Sequence, residues 1–331
     1  MIYRTEDIYK KIKEGTKIHS HNEFMALYRP KSGEPSITDD MLRLAFSDIR
    51  LSLGKDFKLD HICFLFGNGC SVYAGSKSTT DFDMADAVEG EKLKKIENII
   101  KKIDGRTMEE QLNALITVRE FYRIVDDENE EIVATIIEAI KGYLLNSYVN
   151  SVKYKGLFLH EAMLMKLRSF GCLSKVNFYT PNYDLSLEYL LDKLGIEYAN
   201  GFTGFVNRRF DSKSLQLAKT TKIVKIHGSV NWVFDEKDKV IKEVQPHFSD
   251  DGTVEVEDAK HVLIYPTEQK LYQTYNAPYS ELMRSMLDGF ESQKNVILVL
   301  GYRYADEHIN EILFKAVANP NNVFYFFDYV M

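Results

Sequence analysis

The chain has 331 residues, 45% hydrophobic and 27% charged, which is the balance of a folded protein with a sizeable core. Its net charge of −7 excludes a nucleic-acid binder that relies on a basic surface, so we expect no direct nucleic-acid partner. Three cysteines without a Cys-x-x-Cys pair exclude a four-cysteine zinc module and a disulfide framework. No apolar run approaches the roughly 20 residues of a membrane span, and we expect a cytoplasmic protein without a membrane partner.

The first recognisable unit of the sequence is a short apolar strand followed by a glycine turn. Residues 62–66 are continuously apolar, which is typical of a strand covered on both faces of a parallel sheet. The turn that follows is Gly67-Asn68-Gly69-Cys70-Ser71. Glycines let backbone N–H groups approach a diphosphate closely, and Ser71 adds a hydroxyl donor. A tight turn without a ligand explains this segment equally well when it is taken alone.

The pattern then changes to long helices without a strand signal. Apolar residues recur at i, i+3 or i+4 spacing, which is typical of amphipathic helices. We therefore predict a helical insertion at about residues 88–170 that folds over the ligand edge of the sheet. The predicted apolar stripe consists of Leu112, Leu115, Ile116, Val133, Ile136, Ile137 and Ile140.

Three more strand-and-turn units follow in the second half of the chain. Their strands are predicted at residues 175–179, 222–226 and 296–300, and the first two are mixed in polarity and expected nearer a sheet edge. Asp184 is expected to cap a helix that stops at Gly195, and Asp306 opens another helix. Strands that alternate with helices predict an α/β protein: one Rossmann-like domain over residues 1–331, with a doubly wound, mainly parallel sheet.

The four turns are expected to share one location, because ligands bind beyond the carboxyl ends of the strands in an open parallel sheet. Asn182 and Asp184 can present an amide and a carboxylate to one ligand, although an Asx turn and a helix cap explain them as well. His227 follows a strand and is a candidate general base, with a structural histidine as the alternative. His308 is as readily a surface or packing residue. The remaining histidines carry no such signal: His19, His21, His61, His160, His247 and His261.

Taken together, these segments resemble the ordered motifs of sirtuin-like proteins, and in particular those of the bacterial antiphage-defence branch. The motifs follow the family order and span residues 62–310. The matching segments are Gly67-Asn68-Gly69-Cys70-Ser71, Thr180-Pro181-Asn182-Tyr183-Asp184, His227-Gly228-Ser229 and Gly301-Tyr302-Arg303-Tyr304-Ala305-Asp306-Glu307-His308-Ile309-Asn310. Residues 200–205 and 263–266 also look like this branch.

The resemblance implies that the chain binds NAD⁺ as its substrate and cleaves the nicotinamide–ribose bond. Asn182 would orient the nicotinamide ribose and the attacking water, and His227 would act as base toward a ribose hydroxyl or that water. The glycine turn would hold the diphosphate, and Gly301 and Tyr302 would contact the adenosine half. The full set of implied cofactor contacts is Gly67, Asn68, Gly69, Ser71, Thr180, Asp184, Gly228, Gly301, Tyr302 and Asp306.

The sequence departs from protein-deacylating sirtuins in ways that favour NAD⁺ hydrolysis. Those sirtuins carry a four-cysteine zinc module that this chain cannot build, so we expect no zinc and no metal ligands. Their Gly-Ala-Gly is here Gly-Asn-Gly, and their Thr-Gln-Asn-Ile-Asp is Thr-Pro-Asn-Tyr-Asp. Their Pro-Asp-Phe-Arg loop has no counterpart beyond residues 80–82. The alternatives are a protein deacylase or ADP-ribosyl transferase, and a non-catalytic NAD or ADP-ribose sensor module.

The resemblance also implies regulation by assembly. An effector that depletes NAD⁺ must stay silent until it is triggered, so we expect a homo-oligomer controlled by a HerA-type ATPase or by a fused sensor region. Residues 323–327 form one more apolar strand, after which the sequence stops. Because an apolar strand is rarely left uncovered, we expect a C-terminal portion outside this sequence or a partner to cover it.

Overall fold

A parallel sheet of six strands organises the protein. The structure is a computed structural model that describes residues 61–76, 83–88, 90–104, 106, 108–249, 254–255, 261–263, 277–291 and 295–327. The predicted segments at residues 80–82 and 264–266, and residues 1–60 of the predicted domain, lie outside this description. From one edge to the other the sheet contains β13 (Val323–Phe327), β12 (Asn295–Leu300), β1 (His61–Phe66), β2 (Val176–Thr180), β6 (Thr221–Lys225) and β3 (Tyr198–Ala199).

Every neighbouring pair of strands in this sheet is parallel, which confirms the predicted sheet type. The apolar strand at residues 323–327 forms one edge and is half-buried. The mixed composition of β2 and β6 predicted positions nearer a sheet edge, but both strands pair with neighbours on two sides, β6 with the short edge strand β3 and with β2. The polar Thr180 of β2 is used inside the sheet, because its Oγ1 donates to the carbonyl of Phe66 at 2.8 Å.

Alternate residues of β1 enter two different cores, one on each face of the sheet. Ile62, Phe64 and Phe66 pack with the helices between β1 and β2, and the Phe64 ring stacks on Phe178 of the neighbouring strand at a centroid distance of 5.2 Å. Cys63 and Leu65 point to the opposite face, where they join apolar residues of later helices. Helices therefore cover both faces, which confirms the Rossmann-like, doubly wound fold.

The described chain between β1 and β2 is helical. Its helices are α1 (Met84–Ala87), α2 (Gly90–Lys95), α3 (Glu97–Ile103), α4 (Met108–Ile124), α5 (Asn129–Ser151) and α6 (Phe158–Ser169). α4 and α5 pack against each other, and the predicted apolar stripe is buried between them and the sheet except for Ile116, which is partly buried. Among the described residues, no helix combines the length and the apolar character that crossing a membrane requires.

Four α-helices follow β2 in the part of the chain that the structure describes, and they are α7 (Ser186–Lys193), α8 (Ser212–Leu217), α9 (Tyr279–Glu291) and α10 (Glu307–Val317). Asp184 accepts a hydrogen bond from the Ser186 backbone N–H at 2.9 Å, and Gly195 ends the α7 segment in a left-handed conformation, with φ +62°. Gly195 agrees with the predicted stop signal, whereas the N-cap position is Leu185, so Asp184 supports the start of the helix from one residue before the cap.

A second, antiparallel sheet takes its strands from both sides of β6 in the chain. In spatial order it contains β11 (His261–Leu263), β7 (Gly228–Asp235), β8 (Val240–Glu243), β5 (Arg208–Phe210) and β4 (Phe202–Thr203), and a separate pair is formed by β9 (His247–Phe248) and β10 (Val254–Glu255). β7 begins one residue after His227, so the turn that carries this histidine is held between the two sheets.

Candidate functional site

The crevice of this sheet lies between β1 and β12. The chain leaves β1 and returns as β2 on one side, whereas β12 pairs with β1 on the other side. In doubly wound sheets ligands bind at this point of reversal, beyond the carboxyl ends of the strands. The turns after β1 and β12, at Gly67 and Gly301, meet there.

The two glycine turns touch through their backbones. A Cβ atom at Gly67 would lie 2.3 Å from the Gly301 carbonyl oxygen, and one at Gly301 would lie 2.5 Å from the Cys70 nitrogen. Gly301 also has φ +59°, a conformation that L side chains rarely adopt. Glycine is therefore required at both positions by packing alone.

The backbone N–H groups of this turn are partly used by the protein itself. Gly67 donates to the Leu300 carbonyl at 2.9 Å, and Gly69 donates to the Gly301 carbonyl at 3.0 Å. These two groups, which the sequence suggested for a diphosphate, are therefore engaged in joining the turns. The diphosphate contact of the turn, through Gly67, Asn68, Gly69 and Ser71, stays a prediction.

Asn182 is fixed at the end of β2 by two hydrogen bonds. Its side-chain Nδ2 donates to the Gly67 carbonyl at 3.1 Å, and its backbone N–H donates to the Thr180 Oγ1 at 3.0 Å. The Thr180 hydroxyl in turn donates a hydrogen bond to the Phe66 carbonyl at the end of β1, so three hydrogen bonds hold Asn182 at the junction of β1 and β2. The Asn182 side chain is only half-buried, so it is held in place and still reachable.

Asn182 lines a small pocket that offers about 10 Å³ of space to the centre of a water molecule. That is roughly the room that one water molecule needs, so the pocket in this structure is too small for a nucleotide. Its wall combines apolar, amide, imidazole and carboxyl groups. The lining residues are Phe66, Ser71, His160, Thr180, Asn182, Asp184, Ser186, Leu187 and Glu188.

His160 is a pocket residue that the sequence analysis missed. It lies on α6, and its Nδ1 is 2.6 Å from the hydroxyl of Tyr73. Burial lowers the pKa of His160, which favours the neutral imidazole at pH 7. No sequence signal pointed to this pair, because the two residues are 87 positions apart and meet only when α6 folds over the turn after β1.

Glu188 is a second pocket residue that the sequence analysis did not single out. Burial raises its pKa to about 7 and outweighs the opposing effect of Lys225, whose Nζ lies 3.7 Å from the Glu188 Oε1. Lys225 is also buried and donates to the Asp184 carbonyl. The pocket therefore holds a carboxyl group whose charge changes close to neutral pH.

His227, in the turn after β6, faces His308 on α10. Their Nε2 atoms are 2.7 Å apart, and the two side chains belong to residues that are 3% and 5% exposed. One imidazole nitrogen must donate and the other accept for this contact to be a hydrogen bond. The sequence left open whether His308 is a surface or a packing residue, and the structure shows that it is buried against His227.

Two other predicted contacts have clear internal roles. The Tyr302 hydroxyl donates to the Asp306 carbonyl and to the Asn310 Oδ1, each at 3.2 Å, and its ring belongs to a buried core cluster. The ring and hydroxyl of Tyr302 are turned into the protein, and the contact of this residue with the adenosine half stays a prediction. Gly228 has φ +88°, and a Cβ there would lie 2.1 Å from the Val262 carbonyl oxygen.

The cysteines are unsuited to nucleophilic catalysis. Burial raises the pKa of Cys63 and of Cys70 to about 12, and it also raises the pKa of Cys172. Thiols with such pKa values carry almost no thiolate at neutral pH. The chemistry of the crevice is thus left to the amide, imidazole and carboxyl groups.

Residues 176–329 match the family described as SIR2-like domain. The matched range contains Asn182, His227 and Asp306, whereas the glycine turn at Gly67 and the pocket residue His160 precede it. No curated protein matches the chain. Together with the parallel, doubly wound sheet, the match supports a sirtuin-like domain with NAD-related activity.

Proposed function

We propose that this protein hydrolyses NAD⁺ to nicotinamide and ADP-ribose and thereby depletes NAD⁺ in antiphage defence, as an abortive-infection effector. The observation that carries the proposal is the placement of Asn182. Its side chain is anchored to Gly67, opens on a small polar pocket at the carboxyl end of β2, and lies inside the segment that matches the SIR2-like domain.

The proposed reaction needs few groups. The bond between the nicotinamide nitrogen and the ribose C1′ breaks with its electron pair on nicotinamide, and a water oxygen bonds to C1′. The proton of that water passes to His227 and then to solvent. Asn182 orients the ribose and the water. Because the transition state resembles an oxocarbenium ion, positioning and electrostatics can supply most of the acceleration.

The remaining contacts with NAD⁺ are part of the same proposal. In this proposal Asn68 and Ser71 bind phosphate oxygens, and Asp184 stabilises the developing positive charge. Ser71 and Asp184 both line the pocket of Asn182, which supports these roles. Gly301 and Tyr302 stay the proposed contacts of the adenosine half, with the Tyr302 side chain itself turned inward.

We further propose that the enzyme is regulated by assembly, as a homo-oligomer that works with a HerA-type ATPase or with a fused sensor region. The small pocket beside Asn182 supports regulation, because it has room for about one water molecule and would have to widen during activation to admit NAD⁺.

The direct test is incubation of the protein with NAD⁺, alone and with the product of its neighbouring gene, while nicotinamide and ADP-ribose are quantified. Equal amounts of both products, without any acceptor, are expected. Release that requires an acylated peptide would identify a deacylase, and transfer of label to an acceptor would identify a transferase. Tight calorimetric binding of NAD⁺ without turnover under every assembly condition would identify a sensor and overturn the proposal.

A further inference from the structure

Three side chains with metal-binding atoms converge beside the proposed catalytic histidine. His227, Asp306 and His308 each offer one ligand atom, and these atoms all lie within 4.8 Å of one another. Among the residues that the structure describes, this is the one group of three or more histidine, cysteine, aspartate or glutamate residues whose ligand atoms lie this close together. All three residues are at most 9% exposed, so their convergence is fixed by the fold and not by mobile surface side chains.

The position of Asp306 is not explained by helix capping. It is the N-cap residue of α10, a helix of 11 residues, yet its side chain makes no capping hydrogen bond. An N-cap aspartate ordinarily accepts from the second or third N–H of the helix. Here the carboxylate lies instead near the imidazoles of His227 and His308.

We propose that His227, Asp306 and His308 form a binding site for a divalent transition metal such as Zn²⁺. Two imidazoles and one carboxylate are the protein ligands of many zinc sites that keep a fourth position open. Zinc–nitrogen bonds of about 2.0–2.1 Å in a tetrahedral site place neighbouring ligand atoms roughly 3.3 Å apart. The two Nε2 atoms, now 2.7 Å apart, need to separate by only roughly half an ångström to accept the metal between them.

The ligand set also selects the class of metal. Imidazole nitrogens suit Zn²⁺, Co²⁺ and similar ions, whereas Mg²⁺ prefers oxygen ligands in an octahedral arrangement. The absence of paired cysteines excluded a thiolate zinc module, but it places no limit on a site built from imidazole and carboxylate groups. A metal bound to His227 Nε2 would occupy the lone pair that the proposed base uses, and it would therefore inhibit NAD⁺ cleavage. This inhibition, unlike metal binding itself, rests on the proposed function.

Metal binding itself can be tested without any NAD⁺ chemistry. The tag-free full chain is treated with a chelator, desalted and titrated with Co²⁺ while the visible d–d absorption is recorded. We expect saturable binding of one Co²⁺ per chain, the intense bands of a tetrahedral site, and displacement by Zn²⁺ but not by Mg²⁺. Failure to cleave NAD⁺ would leave this measurement unaffected, and a failure here would leave the proposed hydrolysis standing.

The substitutions Asp306→Asn and His308→Gln should each weaken Co²⁺ binding by at least roughly tenfold. Mutating a residue that only hydrogen-bonds to a metal ligand already lowers metal affinity by about that factor. His247→Gln, at an exposed histidine of β9, should leave the affinity and spectrum unchanged. Asp306→Asn preserves shape, and thermal melting without metal verifies that the variants are folded. Absence of the d–d bands, bands that survive both substitutions, or thiolate-to-cobalt charge-transfer bands would each overturn the site.

Discussion

The side-chain amide of Asn182 donates to the backbone carbonyl of Gly67 at 3.1 Å, across 115 residues of sequence. This bond joins the proposed catalytic asparagine to the turn that follows the central strand β1. Because the amide nitrogen is held by the protein, the direction of the amide oxygen is fixed as well. Such a fixed dipole can orient a reacting group without a reorganisation cost during the reaction.

Asn182→Ala should therefore lower kcat for nicotinamide release by about 10²–10³-fold, the range seen when one oriented polar group is removed from an active site. The affinity for NAD⁺ should change much less, because most binding contacts are retained. The measurement is product release under the assembly condition that gives activity, together with calorimetry. Asn321→Ala, at an exposed asparagine before β13, is the matched control. An equal kcat in both variants would remove Asn182 from the mechanism.

His227→Gln should lower the rate of nicotinamide release by about 10²–10⁴-fold in chelator-treated protein, the usual contribution of a general base. Glutamine keeps a hydrogen-bonding group opposite His308 but cannot take up a proton. His247→Gln provides a comparison at an exposed histidine. A His227→Gln variant that retains full activity and a native melting temperature would show that another group accepts the proton.

Tyr73→Phe should lower kcat/KM for nicotinamide release by about 2- to 10-fold, because it removes the hydrogen bond that orients the His160 ring in the pocket. The size follows from a net value of about 0.5–1.5 kcal/mol for one such bond. Tyr122→Phe, on α4, removes a hydroxyl elsewhere on the helical side of the sheet and should have no effect. Unchanged kinetics after Tyr73→Phe would make the Tyr73–His160 contact purely structural.

Glu188 should make stability depend on pH in a predictable direction. Its pKa is about 7 in the folded protein and 4.5 as an ordinary value, so the folded state holds the proton more tightly. The resulting stabilisation is fully present below about pH 4.5 and is lost as the pH rises through about 7. The free energy of unfolding, measured in urea at matched pH values, should therefore fall between pH 5 and pH 8 relative to Glu188→Gln, by on the order of 3 kcal/mol in total. A constant difference across this range would contradict the raised pKa.

Gly301→Ala should lower the free energy of unfolding by about 1–3 kcal/mol, because it adds a methyl group at a positive φ angle against the turn after β1. Gly142→Ala is the opposite case, since Gly142 lies inside α5 and an added Cβ meets nothing within 4 Å. That substitution should raise stability by up to about 1 kcal/mol. Urea unfolding of both variants measures the two effects, and a neutral Gly301→Ala would show that the turns can separate without cost.

The sequence was sufficient for the parallel sheet and the helical face but not for the antiparallel sheet. The strand at residues 62–66 and the stripe beginning at Leu112 repeat over enough residues for periodicity to be decisive. Four of the five strands in the antiparallel sheet are only two to four residues long, which is too short for a repeat. The pairing of these strands depends on tertiary contacts between separate segments of the chain, which the local sequence does not reveal.

The same limit explains which site residues were found. Asn182 and His227 follow strands, and that local position is visible in the sequence. His160 and Glu188 lie on helices, where nothing local separates a pocket residue from an ordinary polar position. His308 acquires its significance from a partner 81 positions earlier in the chain.

The contact between the Gly67 and Gly301 turns consists of main-chain atoms, and this has a consequence for how the site can change over time. Apart from the Cys70 thiol, which donates to the Leu300 carbonyl at 3.0 Å, the hydrogen bonds between the two strand ends come from the backbone, so other side chains around the crevice can change without moving these ends apart. Substitutions of these side chains could thus change the substrate preference while the backbone contact between the two turns stays constant. A change of the frame itself would need coordinated replacement of Gly67, Gly69 and Gly301, a step that single mutations do not reach.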